Sequence, residues 1–277
     1  MISWGVKPLD KLTGGIEPAC VTLVHGFAKS GKTTLAGYLA IVRIAAEKLK
    51  TGKFGENEIF LICDTDAGFS FVRLKQVAKA HGLDPDLIED RIEYHTFESF
   101  EEQHQFIYGE KGKGKLFEKL ESWNKTPLLI TLDGATVIYR NIIEQIDMSH
   151  RMSGMQPYLG RIGAQAHTLL LTAKKYNCPA FITSYPASQA ATAFGEGTQL
   201  STVIGGRNLV EIPKTIVRLM FPKIVKKVKM DGALQEVEIE DVNSTSLERY
   251  VRLEKSRDRP IGEVVKVKLS DAGFSEV

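Results

Sequence analysis

The run Gly26-Phe27-Ala28-Lys29-Ser30-Gly31-Lys32-Thr33 constrains this chain more than any other feature, because it fills every fixed position of the phosphate-cradling pattern G-x-x-x-x-G-K-[ST]. Its glycines let the backbone curl until several N–H groups point inward at phosphate oxygens. Lys32 is placed to reach the β- and γ-phosphates, and the Thr33 hydroxyl to sit on Mg²⁺. The flanks agree. Cys20–His25 reads as a short buried strand and Thr34–Val42 as the opening of a helix, so the phosphates also meet the positive end of a helix dipole. A chance match of a Gly/Lys/Thr-rich turn would not bring that context with it. The run predicts a nucleoside triphosphate site.

Strand-like apolar runs at Val21–Val24, Ile59–Cys63, Leu128–Leu132 and Ala180–Thr183 alternate with helical spacing over Thr34–Lys50, Phe71–His81, Phe97–Trp123 and Gly160–Tyr176. That alternation predicts an α/β fold with a mostly parallel sheet. The strands are nearly continuous in apolar residues, as a sheet covered on both faces requires. Gly109–Lys115 interrupts the third helical stretch as a surface loop. After Pro213 the pattern changes to strands at Thr215–Phe221, Ile224–Met230, Ala233–Ile239, Arg249–Lys255 and Val264–Leu269, with Asp231-Gly232 as a hairpin turn. These read as an antiparallel extension of the same sheet. No polar linker divides the chain, so residues 1–277 are expected to form one domain.

Composition adds exclusions. A net charge of +2 means that any nucleic-acid surface is a local patch, not a bulk property. Cys20, Cys63 and Cys178 are odd in number, lack C-x-x-C spacing and sit beside apolar runs, which argues against zinc or a disulfide framework. They read as buried reduced thiols. The first residues lack a signal-peptide pattern, and the longest apolar stretch, Leu35–Val42, is far short of the ~20 residues of a membrane span. A cytoplasmic protein is expected.

Two further segments carry carboxylates at strand ends. Leu128–Asp133 is an apolar strand ending on Asp133, where such folds hold a water of the Mg²⁺ shell. Ile59–Cys63 runs into Asp64-Thr65-Asp66, and ligands bind outside the carboxyl ends of parallel strands. A carboxylate there could polarise the water that attacks the γ-phosphate; alternatively, Asp64 and Asp66 only cap the turn and the following helix.

With these pieces assembled, the chain resembles the RecA/RadA recombinase superfamily, and within it the archaeal RadB-like paralogues. The resemblance rests on Gly5–Pro18 ahead of the phosphate loop, on Asp64–Leu74, and above all on Asp133-Gly-Ala-Thr-Val-Ile-Tyr139-Arg140. Ile204–Asn208, Arg259–Val264 and Leu269–Phe274 are similar to the family's closing elements. The resemblance implies a RecA-like P-loop core that uses ATP and Mg²⁺. Gly26 to Thr34 would hold the triphosphate, Lys32 and Asp66 would be catalytic, and Thr33 and Asp133 would serve the metal. Arg73 would stack on adenine, where a guanidinium plane suits a π face. The loops after Arg140 and Tyr185, the second at about 187–205, would contact DNA, with Arg140, Arg151 and Arg207 as candidates.

Four departures shape the functional expectation. Asp66 stands where the family has Glu, and Ser184-Tyr185 where recombinases carry Asn-Gln. No Phe-x-x-Ala docking segment occurs, and the chain begins at the ATPase core without the helix-hairpin-helix domain of filament-forming relatives. The resemblance therefore implies an accessory protein of homologous recombination and DNA repair, at most a weak DNA-dependent ATPase. It would bind single-stranded or branched DNA without sequence preference and act beside a recombinase or structure-specific nuclease. The alternatives are a KaiC-like signalling ATPase and an interaction protein with ATP as a structural ligand. Lys223, Lys226, Lys227 and Lys229, with Arg249, Arg252, Lys255, Arg257 and Arg259, form a phosphate surface only if they share a face; lysines equally protect edge strands from pairing.

Overall fold

The computed structural model describes residues 1–186, 203–230 and 233–277, without the side chains of Met148, Arg151, Met152, Asn208, 226–230 and 233–237. A nine-stranded sheet forms the centre, in the order β11-β10-β9-β6-β1-β5-β4-β2-β3. The strands are β1 (Val21–Gly26), β2 (Glu58–Asp64), β3 (Ile92–Thr96), β4 (Thr126–Asp133), β5 (Ala180–Ser184), β6 (Thr215–Met220), β9 (Glu248–Lys255), β10 (Val264–Ser270) and β11 (Gly273–Ser275). From β3 to β6 all neighbours are parallel, and β9, β10 and β11 continue the sheet antiparallel.

Side chains on the central strands alternate between two apolar layers, as a pleated strand requires. Phe60 and Ile62 face one layer, with α2 (Ala40–Thr51) and α3 (Phe71–Ala80) packed above them. Ile59, Leu61 and Cys63 face the other, beneath α5 (Phe100–Tyr108), α6 (Leu116–Ser122), α7 (Val137–Gln145) and α8 (Arg151–Tyr176). The register aligns the strand ends: Asp64 lies opposite Asp133, and His25 opposite Ser184. Loops leaving β1, β2, β4 and β5 therefore emerge at one edge, where ligands of parallel sheets bind.

Several elements differ from the sequence expectation. The helix after the phosphate loop opens as π-helix over Thr34–Leu39 before becoming α2, and Thr131 Oγ1 donates to the Ala36 carbonyl within these widened turns at 3.0 Å. The stretch Phe97–Trp123 is two helices, parted at Gly109–Lys115. Helix α8 begins at Arg151, ahead of the expected Gly160, with Pro157 inside it. One correction concerns the later strands: β7 (Lys223–Met230) and β8 (Ala233–Glu240) pair with each other in a separate two-stranded sheet and do not extend the main one. The Asp231-Gly232 turn between them lies outside the described residues. No described helix is long and apolar enough to cross a membrane.

Candidate functional site

A cleft of about 280 Å³ opens at the aligned strand ends, and Lys32, Thr33, Asp66, Arg73, Asp133 and Tyr185 all line it. Its floor is the loop from Gly26 to Thr33. Gly26 ends β1 beside β6, and a Cβ there would stand 2.4 Å from the Leu219 carbonyl, so no larger residue fits. Gly31 has φ 102° and a Cβ there would meet Phe274 at 2.7 Å, so the β10–β11 hairpin presses directly on the loop. Lys29 also has positive φ, 62°, and its carbonyl accepts a 3.3 Å hydrogen bond from Arg249 on β9. Within the loop Ser30 is fully buried, and its Oγ has no hydrogen-bond partner among the described residues.

Lys32 is 8% exposed and donates to the carbonyls of Gly26 and Phe27 at 3.0 and 2.9 Å. Burial lowers its ammonium to about 8, against the opposing pull of Asp133 and Asp66. Thr33 Oγ1 donates to Asp133 Oδ2 at 2.6 Å, and Thr183 at the end of β5 donates to Asp133 Oδ1. Burial pushes the Asp133 carboxyl above the usual range, while those two hydroxyls pull it back. A hydroxyl and a carboxylate are hard oxygen donors, and the open cleft leaves room for retained waters, so the pair fits Mg²⁺. Thr65 braces the turn, donating to the carbonyls of Asp133 and Gly134 at 3.1 and 2.5 Å.

The two carboxylates after β2 divide their roles. Asp64 is wholly buried and accepts from the amides of Asp66 (3.1 Å) and Phe69 (2.8 Å) and from Tyr94 Oη (3.0 Å). It shapes the turn. Asp66 faces the cleft, and its carboxyl is pushed up to about 6 by desolvation first, then by the hydrogen bond with Asp64 and the charges of Asp133 and Asp64. Arg73, at the start of α3, is tethered by Asp271 and the Ser270 carbonyl, which fixes its guanidinium at the rim.

The sequence model of the Rad51 family matches residues 1–239. The chain belongs to the Rad51 family. Similar relatives include the DNA repair and recombination protein RadB of Thermococcus kodakarensis, 28% identical over 278 residues and covering 100% of both chains. The protein of the same description from Thermococcus onnurineus is also 28% identical, covering 100% of this chain and 98% of that one. A crystal structure of the RadB recombinase superposes with a TM-score of 0.64 at 26% identity, covering both chains fully. The fold is RecA-like, and this Rad51-family chain is RadB-like within the superfamily.

The remaining basic candidates of this Rad51-family chain are dispersed. Arg140 on α7 pairs with Glu144 at 2.7 Å, and its guanidinium lies 5.7 Å from the Tyr185 ring centroid. Arg207, at the start of α9 (Arg207–Glu211), is exposed and pairs with Glu211. The side chain of Arg151, the segment 187–202 and the side chains of Lys226, Lys227 and Lys229 lie outside what is described. The later basic residues do not share a face. Arg249 turns inward over Phe221 to the phosphate loop, Lys255 donates to the carbonyls of Val210 and Glu211, and Arg257 pairs with Glu17.

Sequence reasoning missed Thr183, Thr65 and Arg249. Thr183 had a usable signal, since it ends an apolar parallel strand where ligands collect. Arg249 had none, because its inward turn depends on β9 lying beside β6.

Proposed function

We propose that this chain is an ATP-binding accessory protein of homologous recombination and DNA repair, with weak or absent hydrolysis and no strand exchange of its own. One observation carries the reading: the Gly26–Thr34 loop, Lys32, Thr33 and Asp133 meet in a single cleft at the ends of the parallel strands. In this reading the loop amides and Thr34 cradle the phosphates, and Lys32 neutralises the β- and γ-oxygens. Thr33 and Asp133 would hold Mg²⁺ between them. Mg²⁺ held there would supply positive charge to offset that of the phosphates. Arg73, fixed by Asp271, offers a flat cation to the base. Asp66 is the base for the attacking water, one methylene short of Glu; a misplacement of ~1 Å in a catalytic group can cost about 100-fold in rate. Slow turnover follows.

The descriptions of the RadB relatives support the repair role. DNA contact through Arg140, Arg151 and Arg207, a recombinase or nuclease partner, a cytoplasmic location and a single-domain organisation complete the proposal. A second reading, ATP as a purely structural ligand, is favoured by the short Asp66 and by Tyr185 at the cleft wall. Calorimetric titration with MgATP, paired with phosphate release with and without single-stranded DNA, separates the two. Tight binding with slow, DNA-stimulated release supports the first reading, and tight binding with no turnover supports the second. No binding at millimolar MgATP refutes both.

A further inference from the structure

Lys32 has no unused donor direction. Its ammonium carries three protons. Nζ lies 3.0 Å from the Gly26 carbonyl and 2.9 Å from the Phe27 carbonyl, and 4.3 Å from the centroid of the Tyr185 ring. The two carbonyls are main chain: Gly26 pairs with Leu219 in the sheet, and the Phe27 carbonyl also accepts from the Ser30 amide. Tyr185 is a half-buried side chain just beyond β5, free to change rotamer at lower cost than the backbone can shift. A phosphate oxygen that reaches Lys32 must displace one of three partners, and the ring is the one that can leave.

The same ring bears the Arg140 guanidinium, whose other partner is the exposed Glu144. The Tyr185 carbonyl accepts from the Ile204 amide at 3.1 Å, and Pro186 bridges Val203. Movement of the ring is therefore felt at Arg140 on α7, while the main-chain contacts to residues 203–204 hold its backbone in place.

We infer that Tyr185 is a positioning residue for Lys32: its π face is the displaceable third partner of the ammonium, and an arriving polyphosphate exchanges places with it. The inference rests on the nucleotide reading above and adds the competitor that the nucleotide must remove. A ring that competes with phosphate weakens nucleotide binding, so deleting it strengthens binding. Loss of an ordinary wall residue would do the opposite. The range of a cation–π contact corresponds to roughly two- to thirtyfold in affinity.

The test is a calorimetric MgATP titration of the wild type, Tyr185→Ala, Tyr185→Leu and Tyr185→Phe. Ala and Leu are expected to bind about two- to thirtyfold more tightly, and Phe, which restores the π face, to return the constant to the wild-type value. As a second readout, Tyr185→Trp places a fluorophore against the ammonium. After subtraction of the parent protein's signal, MgATP is expected to shift its emission. Equal or weaker binding by Ala and Leu, or an unmoved difference spectrum, overturns the inference and leaves the nucleotide reading standing. Absence of MgATP binding in the wild type and every variant overturns both.

Discussion

Thr33 Oγ1 and Asp133 Oδ2, 100 residues apart in the chain, share a 2.6 Å hydrogen bond in the wall of the cleft. The contact ties the phosphate loop to the end of β4 and brings the two halves of the proposed metal site together.

That contact gives the first prediction. An amide of the same shape at position 133 sheds the desolvation of a buried carboxylate and still accepts a hydrogen bond. Asp133→Asn is expected to melt at or above the wild-type temperature while losing the Mg²⁺ dependence of ATP binding. Asp133→Ala instead leaves the Thr33 and Thr183 hydroxyls unpaired, at about 1–3 kcal/mol for each. Thermal melts and ATP titrations with and without Mg²⁺ read both effects; Mg²⁺-dependent affinity surviving in the Asn variant would remove Asp133 from the metal site.

Lys32→Ala is expected to abolish measurable ATP binding, because it removes the ammonium at the phosphates. With Lys32 lowered to about 8, the free protein above that pH holds a neutral amine, and ATP must bring a proton with it. Affinity is then flat below pH 8 and weakens by about tenfold for each further pH unit. Calorimetry at pH 9 in buffers of different ionisation enthalpy should register that uptake. Near-normal affinity of the Ala variant would refute the site assignment.

Asp66→Glu restores the missing methylene and is expected to raise phosphate release. The Asp66 carboxyl, held near 6, loses its basic form as pH falls, so release should decline through about pH 6. Steady-state release unchanged in the Glu variant would argue that Asp66 is not the base.

All three cysteines are buried and free, and burial pushes the thiols of Cys20 and Cys178 up to about 12 and raises Cys63 as well. They should resist a thiol-exchange reagent at pH 8 until the protein unfolds. Their ordinary value is 9.0, so they exert no pH effect on stability below that. As pH rises from about 9 towards 12, the unfolded chain ionises thiols that the folded chain keeps protonated, and stability falls. Denaturant midpoints at pH 8 and pH 10 measure the loss; rapid labelling of the native protein at pH 8 would contradict the burial.

The central strands were legible because each is apolar on both faces, and the phosphate loop because its chemistry is local. Strand β3 escaped notice because it closes the sheet edge, where Glu93 and His95 alternate with Ile92 and Tyr94 and no continuous apolar run forms. The start of α8 was hidden by Gly154, Pro157 and Gly160, which read as breakers but fall within one helix. The departure of β7 and β8 from the main sheet could not be read at all. A strand's local pattern says that it pairs, not with which neighbour.

The site divides along the same line. Gly26–Thr33 and Asp133 could be read where they stand, whereas Thr183, Arg249 and the split between Asp64 and Asp66 emerge only when distant strands are set side by side. Arg249 shows the risk of reading charge alone. Among neighbouring basic residues it resembles a DNA contact, yet it is 7% exposed and serves the loop.

Gly31 lies against Phe274, so the loop that the ribosome delivers early acquires its outer wall only when β11 has been made. A growing chain carries the phosphate motif without the surface that shapes it. Any nucleotide therefore meets the finished loop only after β11 has packed against it.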